Sequence, residues 1–91
     1  MATEATKRVE GREREKLDAM FRLCGFDPNG ESSWRVGLGA VGAVVIRADE
    51  GRWNWIGYNG IQLVVGQSGL PKPEVAAARA RDWFENFGHA I

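Results

Sequence analysis

Hydrophobic positions along this chain change period twice. Between residues 12 and 24, Leu17, Met20, Phe21 and Cys24 recur at i, i+3, i+4 and i+7, the single stripe of an amphipathic helix. Glu10–Arg14, Arg14–Asp18 and Asp18–Arg22 place opposite charges one helical turn apart on its other side. Gly25 supplies a left-handed stop. Asp27-Pro28-Asn29-Gly30 reads as a turn with proline at its second position. From Trp34 the period falls to two. Trp34, Val36 and Leu38 alternate with Arg35 and Gly37, and the β-branched run 43–47 follows. Gly39 marks a bend or bulge between them. A strand over 52–58 follows the turn Asp49-Glu50-Gly51, and a strand over 61–67 follows Asn59-Gly60. The helical period returns after Pro73, where Ala76, Ala80, Trp83, Phe84 and Phe87 form one stripe that Gly88 ends.

The predicted fold is therefore α+β: a single domain over 11–91 with a helix, an antiparallel meander of three to four strands, and a second helix. Residues 1–10 read as a disordered polar lead-in.

Hairpin register gives the meander an unusual property. A two-residue turn at Asn59-Gly60 sets Tyr58 opposite Ile61, Ile56 opposite Leu63 and Trp53 opposite Gly66. A two-residue turn at Glu50-Gly51 sets Val45 beside Ile56 and Ile46 beside Trp55. One face then carries Val45, Ile56, Tyr58, Ile61, Leu63 and Val65. The other carries Val44, Ile46, Trp53, Trp55 and Val64. Both are apolar, whereas an antiparallel sheet commonly turns one polar face to water. The helices could lie on opposite faces, or the second face could meet another copy or another partner. A tryptophan above a glycine favours the tryptophan face as the core.

Composition narrows the function. The 91 residues make one domain, with 44% apolar and 26% charged residues. Twelve basic and twelve acidic residues give zero net charge. That balance lacks the basic excess of a nucleic-acid binder and favours association. A single cysteine excludes an intramolecular disulfide. No apolar stretch approaches the ~20 residues of a membrane span. These features suggest a cytoplasmic protein with no membrane contact.

Candidate chemistry fails on ligand count or context. His89 is the only histidine and has no partner placed by spacing. Cys24 falls on the apolar stripe of the first helix, as a small core residue would. One cysteine and one histidine cannot make a zinc site. Gly37-Leu38-Gly39-Ala40-Val41-Gly42 spells GxGxxG, but a β run follows it where a dinucleotide site needs a helix. No catalytic residue, metal or cofactor is expected. The basic residues of the first helix interleave with acids as a self-paired, solvated face. Arg79 and Arg81 lie off the apolar stripe of the second helix, free to touch phosphate.

Two resemblances follow. The order helix, strands, helix resembles the double-stranded RNA-binding domain, which implies nucleic-acid binding. That family's basic cluster before the last helix is replaced here by Ser68-Gly69-Leu70-Pro71-Lys72-Pro73-Glu74. The run Trp53-x-Trp55, Asn59-Gly60, Gly66 and an alanine-rich helix ending in aromatics resembles small phage and mobile-element proteins of the anti-CRISPR type. That likeness implies an inhibitor that binds a host protein complex. The expected function is a non-enzymatic protein-interaction domain, with nucleic-acid binding through the first helix and Arg79/Arg81 as the alternative. Partner-binding candidates are Trp53, Trp55, Ile56, Tyr58, Leu63, Arg79 and Arg81, and a homodimer is one possible assembly.

Overall fold

A computed structural model describes residues 11–88. The lead-in 1–10, the pair Glu10–Arg14 and His89 lie outside the described residues, as does the side chain of Phe87. Helix α1 is Gly11–Leu23. The strands are β1 Asp27–Pro28, β2 Ser33–Leu38, β3 Val41–Arg47, β4 Trp53–Asn59 and β5 Gln62–Leu70. Helix α2 is Pro73–Trp83, and a π-helical turn, Phe84–Gly88, follows it. All five strands form one antiparallel meander in the order β1-β2-β3-β4-β5.

The expected count of three to four strands is thus corrected to five. The extra one lies within the predicted turn: Asp27 pairs with Arg35 and Pro28 with Trp34. Two residues carry no periodicity to read, and an edge position tolerates a proline. The turn moves to Asn29–Ser32, closed by Asn29 N–H donating to the Ser33 carbonyl at 2.9 Å.

Helix α1 ends in a Schellman motif. Phe26 N–H donates to the Phe21 carbonyl at 2.8 Å and Gly25 N–H to the Arg22 carbonyl at 3.0 Å. Gly25 takes φ +88°, which only glycine adopts without strain. The accompanying apolar contact is Phe26 against Phe21, edge to face at 5.6 Å.

Both helices pack on the same side of the sheet. Phe21 of α1 stacks on Trp34 at 4.5 Å and tilts against Trp53 at 5.9 Å. Trp83 of α2 lies 6.4 Å from Trp55. It also lies over Gly57, where an added Cβ would fall 2.8 Å from ring carbons. Ala76, Ala77 and Ala80 let α2 sit close to the strands, and all three are fully buried. The tryptophan face is therefore the core.

Polar contacts fix the outer ends of this layer. Trp34 Nε1 donates to Asp18 at 2.7 Å. Arg14 bonds the carbonyls of Gly30 and Glu31 and pairs with Asp18 at 3.5 Å. Arg47 pairs with Glu13 at 2.8 Å above the Trp53 ring. This side of α1 thus docks the helix instead of only pairing with itself.

The register differs from the expected one at both hairpins. Val45 pairs with Trp55, and Val44 with Ile56. The β3–β4 connection runs over residues 48–52, where Glu50 and Gly51 both take positive φ, and a five-residue loop reverses the face assigned from a two-residue one. At the last hairpin Asn59 pairs with Gln62, so the connecting pair is Gly60-Ile61. Tyr58 meets Leu63, Ile56 meets Gly66 and Trp53 meets Leu70, with register shifts between Trp53/Trp55 and Gly57/Tyr58.

Three substitutions test this packing. Gly57→Ala forces a methyl into the Trp83 ring and should lower stability by about 1–3 kcal/mol in urea unfolding. Asp18→Ala leaves the Trp34 indole N–H without its charged acceptor and should cost roughly 1.5–3 kcal/mol. Trp34→Phe should make the Asp18 effect largely disappear in a double-mutant cycle.

Candidate interaction surface

Alternation along the strands assigns every position a side once the register is known. Trp34, Val36, Ala43, Val45, Trp53, Trp55 and Gly57 point to the helices, and all are buried. The opposite side carries Asp27, Arg35, Val44, Ile56 and Gly66 in one row across the strands. The next rows hold Ser33, Ile46 and Asn54, and Gly37, Gly42, Tyr58 and Leu63. No helix of the described residues covers this side.

Its relief is set by glycines. Tyr58 lies across Gly42, where an added Cβ would be 2.8 Å from the phenolic oxygen. Ile56 lies beside Gly66, where a Cβ would sit 3.0 Å from Ile56 Cγ2. Arg35 extends over the Tyr58 ring at 5.7 Å, donates to its hydroxyl and reaches the Gly39 carbonyl at 2.7 Å. Arg35 is therefore held by internal bonds, and exposed Asp27 stands opposite it at the β1 edge. A shallow hollow of about 300 Å³, lined by Asn54, Ile56, Leu63, Gly66 and Gln67 among others, opens beside β5. Leu63 is 61% exposed, and Ile61 and Val64 are also exposed at the same end.

The candidate residues separate sharply. Ile56, Tyr58 and Leu63 come together on the open face. Trp53 and Trp55 lie under the helices at 2% and 4% exposure, so neither presents an anchor to a partner. Arg81 donates to the Cys24 carbonyl and pairs with Glu85 at 2.6 Å. It joins α2 to the end of α1 and is not a free phosphate contact. Arg79 is exposed and donates to Gln67 at 3.1 Å. Val44 and Ile46 belong to the surface with Ile56, although the two-residue turn set them with the tryptophans. The signal that reassigns them is the length of the β3–β4 loop, which hydrophobic pattern does not encode.

Cys24 is half-buried and packs against the core. Among the described residues no group of three or more His, Cys, Asp or Glu is placed to hold a metal ion. None of the helices among those residues is long and apolar enough to cross a membrane.

No protein-family model matches the chain, and no significant match is found among curated proteins or solved structures.

The two sides of β3 give a direct test. Val45→Thr buries a hydroxyl in the core and should cost about 1–3 kcal/mol. The identical change one residue earlier, Val44→Thr, should stay within about 0.5 kcal/mol of the parent in the same denaturation assay.

Proposed function

We propose that this chain is a non-catalytic protein-interaction domain that docks a partner on the open face of its sheet. The supporting observation is the placement of both helices on the tryptophan side, which leaves Val44, Ile46, Ile56, Tyr58 and Leu63 together on the other. Contiguous apolar surface on a folded domain marks an interaction site more often than it marks solvent-facing sheet. Beyond Asp27 and Arg35, which stand opposite one another on β1 and β2, the strand positions of this face named above are uncharged, so the recognition proposed is mainly by shape and apolar burial. Its flat centre with a tyrosine and a restrained arginine suits an interface core, where such residues are enriched. The likeness to small phage-encoded inhibitors extends this reading to a host protein complex, blocked by occupation of a surface. Phosphate binding has less support, because Arg14, Arg47 and Arg81 are engaged in holding helices and loops to one another.

A photo-crosslinking phenylalanine analogue at position 63 of the full chain tests the reading. It should yield a discrete protein adduct in cell extract, whereas the same analogue at exposed position 12 of α1 should not. Ile56→Lys should reduce capture of that adduct by about tenfold or more, a loss near 1.4 kcal/mol. Capture that ignores Ile56→Lys, or binding to generic DNA or RNA that falls steeply with salt, would overturn it.

A further inference from the structure

We infer that the partner binds through a short extended segment that adds a strand to the β5 edge. Its apolar side chain enters the hollow beside β5, and an adjacent acidic side chain meets Arg79. The inference rests on the docking role just proposed and names the partner's chemistry. The two edges of the sheet are built differently. Strand β1 has two residues, Asp27 and Pro28, and a charge and a proline both keep another strand from pairing. Strand β5 has nine residues with neither a charge nor a proline, and seven of the nine are exposed. It ends the strand order, so among the described residues no strand pairs with its outer side. Alternate residues of an antiparallel edge strand turn both N–H and C=O away from the sheet. An extended backbone matches that spacing of donors and acceptors, which selects a peptide as the ligand.

Register limits how long the added strand can be. Val65 pairs with Gly57, Gly66 with Ile56 and Gln67 with Trp55, and β5 shifts against β4 on both sides of this run. The shift beyond Gln67 is fixed by Asn54, whose Oδ1 accepts the Gly69 N–H at 3.0 Å. Bulges bend a strand and interrupt its ladder. A long straight strand therefore loses register at both ends of the window, whereas a short segment needs only the window itself.

The two sides of that window offer different contacts. Gly66 lies on the side of Ile56, where the hollow of about 300 Å³ is lined by Asn54, Ile56 and Leu63 among others. Gln67 lies on the side of Trp55. Its Oε1 accepts from the Trp55 indole at 2.9 Å and from Arg79 Nη1 at 3.1 Å. Arg79 is exposed, and among the described residues no carboxylate pairs with it. Its one hydrogen bond there is to a neutral amide, so its charge is available to an acid. Successive side chains of a strand alternate sides, and residues opposite one another share a side. A partner residue opposite Gly66 thus reaches the hollow, and the next one, opposite Gln67, reaches Arg79. An apolar residue beside an acidic one fills both positions.

Panning a multivalent phage library of short random peptides against the full chain tests the inference. Enriched peptides should place an acidic residue next to a leucine-sized apolar one and should lack proline there. A synthetic copy of the leading peptide should shift the backbone amide resonances of residues 62–70. N-methylation of alternate backbone nitrogens of that peptide should weaken binding by about tenfold. Arg79→Glu, at an exposed position outside the core, should weaken binding by about fivefold or more, and exchanging the peptide's acid for lysine should restore it. The absence of enriched peptides, or binding indifferent to N-methylation or to Arg79→Glu, would overturn the inference. If the position-63 adduct still forms in that case and responds to Ile56→Lys, the docking role stands without the β5 segment. Loss of the adduct as well removes both.

Discussion

Seating of the second helix depends on the missing side chain at Gly57. Trp83 occupies the space that a Cβ would fill, 2.8 Å from where that atom would be. A close approach of this kind brings the backbone of α2 near the strands, and the fully buried alanines 76, 77 and 80 are small enough to allow it. The result is a helix on the tryptophan side of the sheet. Phe21 stacks on Trp34 on that side too, so α1 joins the same layer. Aromatic pairs of this geometry contribute about 0.5–1.5 kcal/mol beyond their area. Several of them together commit nearly all the large aromatic surface to one core.

That commitment leaves the other face bare. Val44, Ile46, Ile56 and Leu63 are apolar enough to serve a core, but neither helix reaches them. The arginines show a similar division. Arg14, Arg47 and Arg81 tie helices to loops and strands, whereas Arg35 lies on the open face and is held there by Tyr58. These four arginines act as clamps within the fold. The two layers have different tasks: one holds the fold and the other remains available.

Much of this architecture is legible in the sequence, for local reasons. The stripe Leu17, Met20, Phe21 and Cys24 foretells α1 and its buried side. Gly25 foretells its end, because positive φ is required there. Pro73 foretells the start of α2. Ile56, Tyr58 and Leu63 are legible as one surface, since the last hairpin keeps them on a common side despite its shifted register. Illegible were the two-residue strand β1, the bulges in β5 and the length of the β3–β4 loop. Each depends on backbone pairing between distant residues, and none changes the hydrophobic period.

By itself, the amino-acid order determined an α+β domain with a helix at each end of a meander, and a sheet with more apolar surface than one core needs. Those properties follow from alternation and helical spacing, which operate within a few residues. Only the tertiary structure decided that both helices share one face and that Trp53 and Trp55 are core residues, unavailable as anchors. It also decided that Val44 and Ile46, both half-buried, lie on the helix-free face. The physical reason is parity: a strand has two sides one residue apart, so a single residue of loop length exchanges the inside for the outside.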